Sequence, residues 1–391
     1  MTRSTTLILG GGWGGLTLAH RLADLVPTDH RIAVIERSST FSLGVSNLGL
    51  MTGETSSVEA MRRDMGRLRN ERIEWVSAEV ETIDPAARTV ETSAGRFEAD
   101  HIVVALGAEL APSAVPGLAD SAHNLYEAEG AFAINQALGS FDAGRIVILV
   151  AGAPFRCPAA PYEAAMLVEA WIRERGRRGQ VEIDLFTPES IPMAVAGPAV
   201  GAGLNSFLEA RGIGVHFGHQ ATSVDPAAVH FGERSAGYDL LIGIPPHRGP
   251  SAAMSADLTD ASGYIPVHPQ TLEILADPDT LEVRHPGVFA IGDATAIRLM
   301  NAKLLPKAGV FAEGQAHTVA AAIAADVNGE PRPGVYDGHG FCYVDVGEGL
   351  AAYGAGDFYA FPGPRVNLEQ PSAASRQAKD EYERLLDAWF D

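Results

Sequence analysis

Three groups of residues in this 391-residue chain have types and spacings that could do chemistry. The first is Gly10-Gly11-Gly12-Trp13-Gly14-Gly15, which contains GxGxxG at Gly10, Gly12 and Gly15. That spacing permits a tight turn, a close approach of backbone to a pyrophosphate, and close packing of a helix on a strand. Glu36 ends the next apolar run, where a ribose hydroxyl needs an acceptor. The second group is a pair of cysteines, Cys157 and Cys342, the only two in the chain. Cys157 precedes Pro158, a residue favoured at the first helical position, so a helix N-terminus should lower its pKa and favour the thiolate. Glu163 is a candidate proton acceptor for that thiol if the helix starts late, near Pro161; otherwise it is an ordinary carboxylate of a first turn. The third group is Asp293, directly after Gly292, with Lys307 beyond it. Asp293 reads either as a ligand for a hydroxyl or as a cap for the residues that follow. Two thiols in a chain of this kind are by default inert core residues, and that reading stays beside the chemical one.

The order of these pieces carries a resemblance. Asp100-His101-Ile102-Val103-Val104-Ala105-Leu106-Gly107 and Val288-Phe289-Ala290-Ile291-Gly292-Asp293 resemble the second and third FAD motifs of the glutathione-reductase-like flavoproteins. The resemblance implies FAD as cofactor, held by Gly10, Gly12, Gly15, Glu36, Gly107 and Asp293, the last bonding a ribityl hydroxyl. Pro154-Phe155-Arg156-Cys157-Pro158-Ala159-Ala160-Pro161-Tyr162-Glu163 is similar to the cysteine motif of the flavocytochrome c sulfide dehydrogenase and sulfide:quinone oxidoreductase family. The segment Leu305-Pro306-Lys307 and the segment Phe341-Cys342-Tyr343 resemble two further stretches of that family, so the similarity covers nearly the whole chain. It implies a redox disulfide between Cys157 and Cys342 facing the flavin, with catalytic roles for both and for Glu163. Lys307 would then sit near the flavin N1/O2 edge and stabilise the reduced anion.

A small sulfur-containing substrate would reduce the disulfide, and an external acceptor (cytochrome, quinone or other) would reoxidise the flavin. Departures from the family leave that acceptor open. No cysteine lies near Gly107, none lies in 41–47 where a covalent flavin link could form, and the tail from 380 is short and acidic. Non-covalent FAD is therefore expected, without the amphipathic membrane anchor of quinone-dependent members. An NADH-dependent dehydrogenase of the same fold is the alternative enzyme, and a flavin-binding sensor or assembly subunit without turnover is the alternative class. Against the first, the position of a second glycine turn reads Ala151-Gly152-Ala153-Pro154-Phe155-Arg156, where Pro154 offers no N–H to a pyrophosphate. Against the second, a scaffold needs no dithiol opposite its flavin.

The elements that must position these residues follow from periodicity. Residues 5–9 read as a buried strand, the glycines as a turn opening a helix through about 25, and 31–35 as the next strand. A polar helix is expected at 57–70, edge strands at 74–78 and 88–97, and a buried strand at 100–106. A second unit starts with a strand at 145–150 and a helix at 160–175, followed by a strand at 182–186 and a helix near 199–211. A long Ala-rich helix is expected at 309–326, a strand–turn–strand at 341–353 and a short amphipathic helix from 380. The expected fold is α/β, with two Rossmann-like dinucleotide-binding domains of the glutathione-reductase type and a small C-terminal α+β region. The FAD domain should be discontinuous, 1–110 and 240–330; residues 111–239 should form the degenerate second unit, and 331–391 should bring in Cys342.

Composition bounds the partners. Lys and Arg number 29 against 49 Asp and Glu, so a net charge of −20 repels nucleic acid and anionic lipid. No run of apolar residues is long enough to span a bilayer, and no leader pattern precedes the first strand, so a cytoplasmic location is expected. The 12 histidines show no metal-ligand spacing, so no metal site is expected, with His216 and His219 read as edge-strand residues. A homodimer is left open.

Overall fold

The computed structural model describes residues 4–390. Strand β1 (Thr5–Leu9) is buried along its whole length and ends at the glycine turn, from which α1 (Trp13–Leu25) rises. The next strand, β2 (Arg31–Glu36), pairs in parallel with β1, Thr5 opposite Arg31. Further out lies β3 (Ile73–Ser77), and on the other side of β1 lies β4 (His101–Val104). Continuous Val, Ile and Leu runs of this kind belong to strands covered on both faces.

The chain then leaves for a second parallel sheet. Its strands are β5 (His123–Asn124), β6 (Gly144–Val150), β7 (Val181–Phe186), β8 (Gly214–His216) and β9 (Leu240–Ile244), in the order β5-β9-β6-β7-β8. Helix α2 (Ala160–Glu174) connects β6 to β7. The short strand β10 (Val288–Ala290) returns to the first sheet beside β4 and completes the order β10-β4-β1-β2-β3. Apart from the edge strands β10 and β5, both sheets follow one strand pattern, with a helix leaving the central strand, β1 in the first and β6 in the second. The long helix α3 (Gly309–Asn328) packs against α1 over the first sheet. An antiparallel sheet follows, made of β11 (His339–Gly347), β12 (Leu350–Asp357) and β13 (Arg365–Leu368). The chain closes with α4 (Ala373–Arg384), whose Ser372 side chain caps it by accepting from the Ser375 N–H.

Three expectations change. Residues 240–244 were assigned to the return into the first domain; instead β9 pairs along β6 from Ile146–Leu240 to Val150–Ile244, so the second sheet keeps them. The polar helix expected at 57–70 is one short turn, Val58–Met61, because Arg63 and Asp64 pair with Phe41 and Thr40 and draw Met65 into the core. The last helix begins earlier than 380, at Ala373, where the Ser372 cap starts it. Its polar composition hid it, because almost nothing on it is apolar and only one face is covered. Among the described residues no helix is long and apolar enough to cross a membrane, and no cluster of His, Cys, Asp and Glu could hold a metal ion.

Beside β1, His30 is buried and held between the hydroxyls of Ser4 and Thr6, with Nε2 2.9 Å from Thr6 Oγ1. Burial first, then the nearby His101, pushes its pKa from 6.5 down to about 4. A depressed histidine stays neutral in the fold while the unfolded chain binds a proton. Its contribution is therefore whole above pH 6.5 and lost as pH falls toward 4, at roughly 1.4 kcal/mol per pH unit. Urea midpoints measured from pH 7 down to about 4.5 should fall in that window, and His30→Gln should flatten the fall.

Candidate active site

The glycine turn is built as its three positions require. Gly10 has φ +108°, and a Cβ there would stand 2.4 Å from the Ala105 carbonyl oxygen, so β1 and β4 can meet at this point only without a side chain. A Cβ on Gly15 would lie 2.0 Å from the Gly10 oxygen, which is the close packing of α1 on β1. A Cβ on Gly12 would meet nothing within 4 Å, leaving the backbone open to the cavity in front of it. The Glu36 carboxylate closes the turn: it accepts from Gly11 N at 2.8 Å and from Ser38 N at 2.8 Å.

In front of this turn lies a cavity of about 490 Å³. Gly10, Gly12, Glu36, Gly107, Asp293 and Lys307 line it, and so do Cys157, Cys342 and Glu163. Gly15 alone of the expected site residues stays behind the turn, as its packing role demands. The walls suit a dinucleotide with a planar ring: an open glycine backbone, a carboxylate at a strand end, and the buried indole N–H of Trp13, which has no partner within the protein. The Lys307 ammonium is 4% exposed; it donates to the Asp293 carbonyl at 2.7 Å and the Thr295 carbonyl at 3.1 Å and lies over the Tyr264 ring. Burial lowers its pKa to about 8 against the opposing pull of Asp293. Two of its three N–H bonds are spent, and the third is free for an acceptor in the cavity.

The cysteines arrive from opposite sides. Cys157 sits in the loop before α2 at φ +49°, an uncommon value for a residue with a side chain. Three contacts hold it: its N–H donates to the Lys307 carbonyl at 2.6 Å, its carbonyl accepts from Ala160 N, and the Tyr126 hydroxyl bonds the Arg156 and Cys157 carbonyls. Cys342 lies mid-strand in β11, opposite Gly354. Both are free thiols in this structure.

The expectation of a lowered Cys157 pKa is corrected. Helix α2 begins at Ala160, and burial pushes the thiol up to about 12, with Glu163 adding to the rise. Lys379 and the Ala160 N–H pull the other way without winning. Burial also raises Cys342, with the nearby Cys157 contributing. Desolvation of a buried anion exceeds what one helix end can return.

Glu163 is 1% exposed although α2 starts early. One of its oxygens, Oε1, accepts from Asp345 N of β11 at 2.8 Å and from Lys379 Nζ of α4 at 2.9 Å. Lys379 and its neighbour Tyr382 escaped the reading of the sequence, as did Tyr126 on the cavity wall. The one available signal was the spacing Arg376, Lys379, Asp380, Glu383, a charged stripe on a single helix face.

The second Rossmann unit does not repeat the open turn. A Cβ on Gly152 would lie 3.0 Å from Pro246, and Gln220 Nε2 caps the Ala151 carbonyl at 2.7 Å. Tyr162, fully buried in the first turn of α2, donates its hydroxyl to Glu189 at 2.5 Å, in the loop beyond β7.

A glycine turn with its acidic strand end, a carboxylate after the last sheet strand, and a second sheet of the same pattern define a two-dinucleotide-fold flavoprotein. The chain belongs to the pyridine nucleotide-disulphide oxidoreductase family, whose model matches residues 4–323, and it is an FAD-dependent oxidoreductase. It is similar to the mitochondrial sulfide:quinone oxidoreductase of Mus musculus, 24% identical over 74% of this chain and 65% of that protein. The chain thus spans just under two thirds of that relative's length. It is also similar to the alternative NAD(P)H-ubiquinone oxidoreductase C1 of Arabidopsis thaliana, 28% identical over 84% of this chain and 68% of that protein. The solved sulfide:quinone oxidoreductase of Aquifex aeolicus shares the fold with a TM-score of 0.84 at 23% identity, over 98% of this chain and 90% of that one.

The Lys379–Glu163 pair is the buried link between α4 and the two elements that carry the cysteines. Lys379→Met would leave Glu163 charged and unpaired in the interior, at about 3–5 kcal/mol. Chemical denaturation should show that loss, and Lys379→Met combined with Glu163→Gln should recover a large part of it.

Proposed function

We propose that this enzyme oxidises sulfide, or a related small sulfur nucleophile, through a redox disulfide between Cys157 and Cys342, and passes the electrons through FAD to an external acceptor. The observation that carries the reading is that the chain's only two cysteines, 185 residues apart, face one cavity with the glycine turn and Asp293. The names of the mouse and Aquifex aeolicus relatives agree with that chemistry.

In this mechanism hydrosulfide attacks Cys342 and forms a new S–S bond, while the Cys157–Cys342 bond breaks. Cys157 is the better leaving group, because both the Ala160 N–H and the Lys379 charge stabilise its thiolate, whereas Lys379 alone does so for Cys342. FAD, when bound, would supply the two-electron acceptor that the Cys157 thiolate faces. The persulfide left on Cys342 is released to a second nucleophile, and the disulfide re-forms as Cys157 gives up its electrons. Gly10, Gly12 and Glu36 would hold the adenosine end of FAD and Asp293 its ribityl chain. The third N–H of Lys307 would meet the negative edge of the reduced ring.

The Arabidopsis thaliana relative keeps an NADH-driven reading in play. The second unit argues against it: in the turn after β6, Pro154 offers no N–H to a pyrophosphate.

Anaerobic stopped-flow mixing tests the proposal. Sulfide should bleach the flavin rapidly, and Cys157→Ser and Cys342→Ser should each abolish that bleaching while FAD stays bound. Wild-type rates in either variant would return both thiols to the core. NADH should reduce the flavin at least about tenfold more slowly than sulfide, since the lost glycine turn removes its orienting contribution. Saturable bleaching by NADH with none by sulfide would favour the dehydrogenase instead.

A further inference from the structure

We propose that Glu383 is the proton-transfer residue joining the cysteine chamber to bulk water, by way of a second, charge-lined chamber on the outer side of α4. The inference rests on the sulfur chemistry proposed above. Hydrogen sulfide that enters the chamber neutral must lose one proton before it attacks as hydrosulfide, and oxidation of hydrosulfide to sulfane sulfur then releases two electrons and one further proton. The electron pair leaves through the flavin, which keeps one of the protons when reduced. The other proton leaves a chamber whose partition from its neighbour is apolar except at Lys379 and Glu383.

The outer chamber holds about 340 Å³, and Glu54, Asp345, Arg376 and Asp380 are among its lining. Lys379 and Glu383 line both chambers, so they form the polar part of the partition. The Lys379 ammonium has a carboxylate on each side: Glu163 at 2.9 Å, which lines only the inner chamber, and Asp345 at 3.6 Å, which lines only the outer one. From Asp345 the charges continue outward through Arg376, 2.8 Å away, to the half-exposed Glu54 at 2.8 Å from the same guanidinium. Polar groups therefore run from Glu163 to the surface.

Lys379 does not itself give up the proton. Burial works against its charge, but Glu163, Asp345 and Glu383 outweigh it and hold the ammonium well above its ordinary pKa. Glu383 stands one helical turn from Lys379 on the same face of α4. Burial raises its carboxyl, Lys379 opposes the rise, Glu163 of α2 and Asp380 add to it, and Arg376 lowers it. Arg63 and Asp387, paired at 2.8 Å, line the same outer chamber. A carboxyl in this position can take a proton on one side of the partition and release it on the other, while the fixed charge of Lys379 keeps it from remaining permanently protonated.

The test uses the FAD-loaded full chain with Glu383→Gln and Glu383→Asp. Infrared titration should show a protonated carboxylic acid at a pH above the range of an ordinary glutamate, absent from Glu383→Gln. Sulfide-driven bleaching should slow by about tenfold or more in Glu383→Gln, with an altered pH profile. Added formate, small enough for the outer chamber, should restore the rate, and Glu383→Asp should retain most of it. A Gln variant with wild-type rate and pH profile overturns the proposal, as does a slow variant that neither formate nor the Asp substitution rescues. If sulfide fails to bleach the wild type, the sulfur reading falls instead, and the infrared titration still decides whether Glu383 carries a proton in this range.

Discussion

A carboxylate with no access to water must find its partners inside the protein, and Glu163 finds them on two elements far away in sequence. Its Oε1 is bound at once by the backbone of β11 and by the ammonium of α4. That one atom joins the helix after Cys157, the strand carrying Cys342, and the C-terminal helix. The two cysteines can face a common cavity because these three elements meet there. Removing either charge would leave the other buried and unpaired, which costs more than the pair contributes relative to an apolar replacement. The pair therefore specifies where α4 sits more than it stabilises the fold.

The rest of the molecule divides the work between two copies of one topology. In the first sheet the glycines keep the carboxyl ends of β1 and β4 open, so that backbone N–H groups face the cavity. The second sheet has lost that opening. Pro246 approaches Gly152, Gln220 covers the end of β6, and Tyr162 bonds Glu189. In exchange the loop that would have bound a pyrophosphate carries Cys157 and docks it on the Lys307 segment through the 2.6 Å bond to the Lys307 carbonyl. One scaffold thus presents an open glycine turn in the first sheet and a cysteine-bearing loop in the second.

Burial dominates the electrostatics of the site. The helix end and Lys379 both favour the Cys157 thiolate, yet the thiol stays protonated to about pH 12. A site of this kind suits a disulfide, which carries no charge to desolvate, better than a resting thiolate. In the mechanism proposed above, the anion is needed only transiently, when the bond opens.

By itself the sequence determined the α/β class, the glycine turn, the strand-end acid Glu36 and the loss of the second glycine turn. These are local features, because each depends on residues within one turn or one strand: a positive φ at Gly10, a missing N–H at Pro154, an unbroken apolar run. Resemblance to known motifs paired Cys157 with Cys342, which no local rule could do. The tertiary structure alone decided three things. Strand β9 stays in the second sheet, because its partner β6 lies about a hundred residues earlier and parallel pairing leaves no mark on either strand. The Cys157 thiol is raised, because burial depends on everything packed around it. Lys379 and Glu383 belong to the site, because a charged stripe on a polar helix looks like a solvated surface until the fold places a buried carboxylate opposite it.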